Sequence, residues 1–235
     1  MKRVYKSVDL RQVEDGWGIA LDGKPLRTPA KRELRVPTEP LAAAIAAEWN
    51  AQDPDIHPET MPLTRLAATA IDRTAERRSD IATEVANYAG TDLVCYRADQ
   101  PPALAARQEA VWQPLIDWAA GRYDAGLAVT AGIVPLTQSS ASLRTYANVV
   151  AALDDFRLTA LQAATAACGS LVIALALYEG RLGAEAAFAA SQLDETFQIE
   201  AWGEDAEAAA RRTRLAEDIV AAARFLDLLG GSRQN

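Results

Sequence analysis

The sequence contains very few of the residues that metal sites and many catalytic sites require. Its 235 residues include only two cysteines, Cys95 and Cys168, and one histidine, His57. Two thiols this far apart make neither a zinc site nor a disulfide framework, and one histidine excludes a two-histidine metal site. A Ser-His-Asp triad would have to use His57, which lies in a proline-rich loop. We therefore expect reduced thiols and no metal ion.

Glycine-rich nucleotide-binding motifs are also missing. The sequence has no Walker A loop, no dinucleotide fingerprint and no G-x-S-x-G motif. Gly16-Trp17-Gly18 is a glycine pair without a third glycine at the required spacing, and it precedes a predicted strand rather than a helix. We interpret the pair as part of a strand turn and expect no cofactor.

Positive charge is scarce outside the N-terminal region. The formal net charge is −8, which argues against a nucleic-acid-binding protein. Residues 1–40 carry nine lysines and arginines against six acids, a net charge of +3, so the rest of the chain carries −11. This asymmetry indicates two regions with different surfaces. The first ten residues contain no apolar run after their charges, so no signal peptide is visible.

The longest apolar stretch runs from Leu158 to Tyr178 and carries no charge. Alanine and leucine dominate it and no proline interrupts it, so it predicts one helix. A helix that is apolar on every face must be buried in a protein core or in a bilayer. Its polar or small residues bring the predicted free energy of membrane insertion close to zero. We interpret the stretch as the buried central helix of a helical domain, with a membrane span as the alternative.

Residues 4–36 show the pattern of antiparallel β structure. Trp17, Ile19 and Leu21 alternate with small residues, as in a half-buried strand. Asp22-Gly23 follows, a dipeptide that favours a type I′ hairpin turn. Further strands are expected at these positions: Val4, Val8 and Leu10 before the hairpin, and Leu34 and Val36 after it.

The whole pattern predicts an α+β fold. A small N-terminal antiparallel β domain, a twisted sheet or partial barrel, is expected at residues 1–37. A larger, mainly α-helical domain around the buried central helix is expected at residues 38–235.

After Pro37 the sequence predicts a series of helices, interrupted by a proline-rich loop at residues 50–63 and a turn-rich segment from Gly121 to Pro135. Thr38 and Thr64 are predicted to be N-caps of two helices. Pro114 is predicted to kink or divide the helix in which it lies. Further helices are expected near Ala184–Ile199 and at about Glu204–Leu229, the latter followed by a frayed C-terminal tail.

The most unusual polar passage reads QLDETFQIEAWG. On a helix, Asp194 and Gln198 share one face, as do Glu195 and Ile199, and Trp202 follows Glu195 two turns later. Two adjacent carboxylates beside aromatic residues fit three interpretations: a solvated helix face, a recognition edge for a partner, or an acid/base pair. The residues alone leave these interpretations open.

Six segments occur along the chain in a recognisable order: LDGKPLRTP, AAEWNAQ, MPLTRLAATAID, YAGTDLVCYRA, QEAVWQPLIDWA and QLDETFQIEAWG. Together they resemble the family of assembly chaperones for the alpha subunit of the F-type ATP synthase. The resemblance runs from about Val4 to Leu229. One difference is that family members often carry a His-Asp pair after the tryptophan-glycine, where this sequence has Glu204-Asp205.

The resemblance implies a fold and a non-catalytic activity. The fold would be a small N-terminal β domain followed by a larger helical domain. The activity would be to hold the free alpha subunit and prevent its aggregation until the beta subunit takes its place. The location would be the bacterial cytoplasm, or the mitochondrial matrix for eukaryotic relatives. Neither nucleic acid nor stable membrane insertion is expected.

We place the predicted partner contacts in the polar passage, at Asp194, Glu195, Gln198 and Trp202. Two other functions are open alternatives. The first is a hydrolytic or other small-molecule enzyme that uses Asp194 and Glu195 in an acidic interhelical pocket. The second is a membrane-attached helical protein that uses residues 158–178.

Overall fold

The computed structural model describes residues 2–132 and 135–230, and strands precede helices along the chain as predicted. The predicted α+β class is confirmed. The described residues form two units. The first comprises residues up to Arg78, together with Asp154–Ala160 and the residues from Arg224 onward. The second comprises Ser79–Leu153 and Leu161–Ala223. The domain division after residue 37 stays a prediction, and the frayed tail expected at residues 232–235 lies outside the described residues.

Four strands form the antiparallel sheet of the first unit: β1 (Val8–Val13), β2 (Gly16–Leu21), β3 (Lys24–Pro25) and β4 (Arg35–Val36). Strand β2 lies at the centre and pairs with the other three. Its middle residues, Gly18, Ile19 and Ala20, are all buried, so the strand is covered on both faces instead of the one that the alternation predicted. Val4, expected in the first strand, precedes it and is 88% exposed.

The turn between β2 and β3 has the geometry that the sequence predicted. Asp22 and Gly23 have φ angles of 47° and 75°, the positive values that a type I′ turn requires. The Asp22 carboxylate also accepts hydrogen bonds from the backbone N–H groups of Lys6 and Ser7, each at 2.9 Å. These backbone hydrogen bonds lower the pKa of Asp22. One residue therefore both forms the turn and holds the segment that precedes β1.

We expect Gly23→Val to lower the free energy of unfolding by about 1–2 kcal/mol. A Cβ atom at position 23 would meet no atom within 4 Å, so the cost comes from holding a β-branched residue at positive φ. Urea denaturation measures the change. Gly23→Asn is the matched control, because asparagine tolerates this backbone conformation. Equal stability of the two variants would contradict the turn assignment.

Helix α1 (Glu39–Asn50) begins at the predicted N-cap and packs against β1, β2 and β4. The Thr38 hydroxyl accepts a hydrogen bond from the Leu41 N–H at 3.4 Å and donates one to the Leu228 carbonyl at 2.6 Å. Thr38 therefore caps the helix and also joins it to the C-terminal segment of the same unit.

Helix α2 (Pro62–Thr69) starts before Thr64, so the prediction that Thr64 is its N-cap is wrong. The cap comes from Glu48, whose carboxylate accepts from the N–H groups of Leu63 and Thr64 at 2.8 Å. It also accepts from the Thr64 hydroxyl at 2.6 Å. A negative side chain at this place stabilises the unpaired N–H groups of the helix start. A π-helical turn, Ala70–Thr74, continues from α2.

The next elements along the chain are α3 (Arg78–Asn87), β5 (Tyr96–Arg97), α4 (Pro102–Tyr123), β6 (Thr130–Ala131) and α5 (Ser140–Ala151). Strands β5 and β6 form a short parallel pair. Helix α4 continues past Pro114 without division, contrary to that part of the prediction. Trp112, Leu115 and Ile116 beside the proline are buried, and their packing holds the helix together across the missing N–H donor.

The long apolar stretch forms two helices, α6 (Asp155–Cys168) and α7 (Leu171–Tyr178), and not the single helix predicted. Gly169 separates them with a φ of 65°, and the Ser170 hydroxyl caps α7 by accepting from the Ile173 N–H at 3.0 Å. The first six residues of α7 are 0% exposed, which confirms a buried central helix. Across the described residues, no helix has both the length and the apolarity needed to cross a membrane.

Asp92 fixes the start of α7 from a distant part of the sequence. Its fully buried carboxylate accepts from the Ser170 hydroxyl at 2.5 Å, the Val172 N–H at 3.0 Å and the Val94 N–H at 3.3 Å. Burial raises the pKa of Asp92 to about 6, because the loss of hydration outweighs these hydrogen bonds. The raised pKa therefore belongs to a structural residue of the second unit.

Candidate partner-binding surface

The unusual polar passage forms its own helix. Helices α8 (Ala184–Ser191) and α9 (Leu193–Trp202) replace the single helix predicted near Ala184–Ile199. Gln192, with φ −106° and ψ 21°, lies between them. Helix α9 ends at Gly203, which has a φ of 83°. The final helix of the chain is α10 (Ala206–Leu228).

Asp194 lies in the first turn of α9 and faces α4. Its carboxylate accepts a hydrogen bond from the side-chain amide of Gln108 at 2.7 Å, and Gln108 is 1% exposed. The amide oxygen of Gln108 in turn accepts from the Ala98 N–H at 2.7 Å. Arg97 lies over the Trp112 ring at 5.1 Å; burial lowers its pKa, and the charge of Asp194 is among those that oppose the shift. Asp194 therefore belongs to a polar network that holds α9 on α4.

Glu195 faces α10 instead. Its carboxylate pairs with Arg211 at 2.7 Å, and the next arginine, Arg212, donates to the Thr196 hydroxyl at 3.1 Å. Arg212 also lies over the Phe188 ring at 5.3 Å. The Arg211 side chain is 59% exposed, and an exposed pair of this kind stabilises a fold by about 1 kcal/mol or less. The pair therefore orients Glu195 more than it supports the fold.

The two adjacent acids consequently do not converge on one pocket. A general acid/base pair needs two groups directed at the same substrate, whereas Asp194 is bound by α4 and Glu195 by α10. Within the ranges that the structure describes, no group of three or more His, Cys, Asp or Glu residues is placed to hold a metal ion. The geometry of α9 favours recognition over acid/base chemistry.

Three of the four predicted contact residues line up along α9. Glu195, Gln198 and Trp202 follow one another at spacings of three and four, so they form one ridge, which we call the α9 ridge. Glu195 is half-buried, Gln198 is exposed, and Trp202 is 80% exposed. A tryptophan can bury about 150–250 Å² in a contact, and it is the residue type most enriched among interface anchors.

An apolar groove of about 370 Å³ lies on the side of α9 opposite this ridge. It is lined by Val111 and Leu115 of α4, Ala186 and Ala190 of α8, and Leu193 of α9. The amino-acid sequence did not predict this groove. Its only signal was the run of alanines in α8, and small residues there do not reveal which helix they face.

At the edge of this groove, Arg107 joins α4 to α9. It pairs with Glu200 at 2.9 Å and lies over the Phe197 ring at 5.2 Å. The hydrogen bond from Arg107 lowers the pKa of Glu200. An exposed tryptophan beside an apolar groove is typical of protein-binding surfaces, whereas the two neighbouring acids are engaged by separate partners.

Known proteins with similar sequence and structure identify the family. Residues 2–120 match the model of the family described as ATP12 chaperone protein. The crystal structure of Atp12 from Paracoccus denitrificans is 44% identical, covers 97% of this chain and 98% of that chain, and superposes with a TM-score of 0.94. A solved protein from Agrobacterium tumefaciens is 40% identical over 97% of this chain and 86% of that chain, with a TM-score of 0.93. A mitochondrial atp12 protein of Schizosaccharomyces pombe is 26% identical over 197 residues, which is 79% of this chain and 68% of that protein.

The chain belongs to the ATP12 chaperone family. The resemblance to the ATP synthase assembly chaperones, carried by the six sequence segments, is thereby confirmed. Membership of a chaperone family also points away from an enzyme.

Proposed function

We propose that the protein binds the free alpha subunit of the F-type ATP synthase head and prevents its aggregation until the beta subunit takes its place. Family membership supports a role in ATP synthase assembly. The observation that carries the binding part of the proposal is Trp202, which is 80% exposed at the end of the α9 ridge. Exposure of the apolar indole surface to water is unfavourable in the free chaperone. Burial of this surface against a partner would therefore favour formation of the complex.

The four predicted contact residues of α9 would contribute to recognition in different ways. Trp202 would supply the apolar anchor, and Glu195 would add charge complementarity, which contributes to specificity and association rate more than to affinity. Gln198 lies between them and is exposed, so its amide can both donate and accept. Asp194 would act indirectly, since its hydrogen bond to Gln108 holds the helix that presents the ridge.

Holding a subunit requires neither catalysis nor a cofactor. The proposed activity therefore includes no chemical reaction, and it involves neither nucleic acid nor membrane insertion. We place the protein in the bacterial cytoplasm. The matrix is the corresponding place for eukaryotic relatives, and the relative from S. pombe is named as mitochondrial.

We expect Trp202→Ala to abolish most of the protection of the alpha subunit at unchanged stability. Because Trp202 is 80% exposed, its truncation should change the free energy of unfolding by less than about 0.5 kcal/mol. Loss of an aromatic anchor at an interface costs about 2 kcal/mol, a roughly 30-fold weaker complex. Light scattering of purified alpha subunit during heating measures protection, and the melting temperature of the chaperone measures its stability.

Val220→Ala is the matched control, because Val220 lies in α10, is 53% exposed and is not part of the ridge. Glu195→Gln removes the charge of the ridge and should weaken protection less than Trp202→Ala does. Full protection by the double variant Glu195→Gln/Trp202→Ala, at parental stability, would remove the α9 ridge from the proposal. Equal losses for Val220→Ala and Trp202→Ala would show that the effect is not specific to the ridge.

A further inference from the structure

The first unit contains an open groove of about 630 Å³. Trp49, Ile56, Met61 and Ala68 form much of its apolar wall. This volume falls in the range of sites that enclose a drug-sized ligand or several peptide side chains. None of its lining residues belongs to α9, so the groove is separate from the surface proposed above.

The lining of the groove is positively charged, although the protein as a whole carries −8. Three exposed arginines line it: Arg27, Arg65 and Arg73. The acid in the lining, Asp72, already accepts hydrogen bonds from the Thr28 hydroxyl at 2.7 Å and from the Ala30 N–H at 3.0 Å. Both of its carboxylate oxygens are thus used within the chain. A positive rim around an apolar wall favours a ligand that is both apolar and acidic.

Trp49 supplies a second observation about the ligand. Its indole N–H is buried and has no hydrogen-bond acceptor among the residues that the structure describes. The residue is held by other contacts, since its backbone carbonyl accepts from the Tyr5 hydroxyl at 2.7 Å and the two rings lie 5.8 Å apart. Buried donors without an acceptor are uncommon. Because Trp49 lines the groove, its N–H is a donor for which a bound ligand can supply the acceptor.

We infer that this groove binds a short acidic, apolar peptide segment of the client protein. An apolar side chain of the segment lies against Trp49, Met61 and Ala68, and its flanking acids face the arginines. A backbone carbonyl of the segment accepts from the Trp49 N–H. This inference rests on the proposed function for the identity of the client. It adds a contact in the first unit to the one proposed at the α9 ridge.

Overlapping peptides that cover the alpha-subunit sequence, immobilised as an array and probed with the full chain, test the inference. Arg73→Glu reverses one charge of the lining, and Ala68→Trp fills the groove. Lys24→Glu is the matched control, because Lys24 is exposed on β3 and does not line the groove. We expect the parent and Lys24→Glu to bind peptides that combine acidic and large apolar residues. Each groove variant should bind them about tenfold more weakly, at a melting temperature close to that of the parent.

Two results would overturn the inference: no binding of such peptides by the parent, or undiminished binding by both groove variants. Either leaves the proposed function intact if the parent still protects the whole alpha subunit in the scattering assay. A parent that binds these peptides through the groove but does not protect the whole subunit would overturn the proposed function and support the groove as a peptide site. A preference for basic peptides would contradict the charge argument itself.

Discussion

Leu175→Lys should lower the free energy of unfolding by about 4–5 kcal/mol, or prevent folding altogether. Leu175 lies in the middle of α7 and is 0% exposed. The four residues before it and the one after it are also 0% exposed. A lysine ammonium group there would lose its hydration in a helix whose neighbouring residues are buried and apolar. Urea denaturation followed by circular dichroism measures the loss.

Leu175→Met is the matched control for this change. It keeps the apolar character and nearly the volume of the side chain, so it should cost less than about 1.5 kcal/mol. A lysine variant as stable as the methionine variant would show that α7 is not the core of the second unit.

Asp92→Ala should destabilise the protein by about 2–4 kcal/mol. The change leaves the Ser170 hydroxyl and the N–H groups of Val172 and Val94 without their acceptor inside the protein. The substitution also removes a buried carboxylate, and the desolvation cost that is thereby avoided offsets only part of the destabilisation. A melting temperature equal to that of the parent would indicate that α7 does not depend on this carboxylate.

The pH dependence of stability gives a second signature of Asp92. Its pKa is about 6 in the folded protein, against an ordinary value of 3.8, so the folded state binds a proton that the unfolded chain has already lost. Protonation of Asp92 therefore stabilises the folded state fully below a pH of 3.8, and this stabilisation is lost as the pH rises through about 6. Its full size is about 3 kcal/mol.

Asp92→Asn provides the comparison, because the amide does not titrate in this range. The stability of the parent minus that of Asp92→Asn should fall by up to about 3 kcal/mol between pH 4 and pH 7. A difference that stays constant, or that rises with pH, would contradict the assignment of the raised pKa to Asp92.

The sequence by itself determined the features that depend on neighbouring residues. The turn at Asp22-Gly23 follows from two residues that tolerate positive φ, and the cap at Thr38 follows from a hydroxyl placed just before a helix. The apolar composition after Leu158 likewise required burial, whichever helices it formed. In each case the deciding energies act over a few residues, so the pattern is visible without the rest of the chain.

Helix starts that depend on distant groups were decided only by the tertiary structure. The apolar stretch divides at Gly169, and the second helix starts there because Asp92, far away in sequence, binds Ser170 and Val172. Glu48 caps α2 in the same way, in place of Thr64. A glycine inside a helical pattern is compatible with either one helix or two, and only the partner of the freed backbone groups decides between them.

The candidate surface shows the same division. Helical spacing alone placed Glu195 and Trp202 on one face of α9, since that spacing is a property of every α-helix. Only the folded chain shows that Gln108 binds Asp194 while Arg211 binds Glu195, which separates the two acids. The groove between α4 and α8, and the groove beside Trp49, are likewise formed by residues from separate segments. Their shape and charge depend on which side chains packing brings together, and no local pattern in the sequence records that.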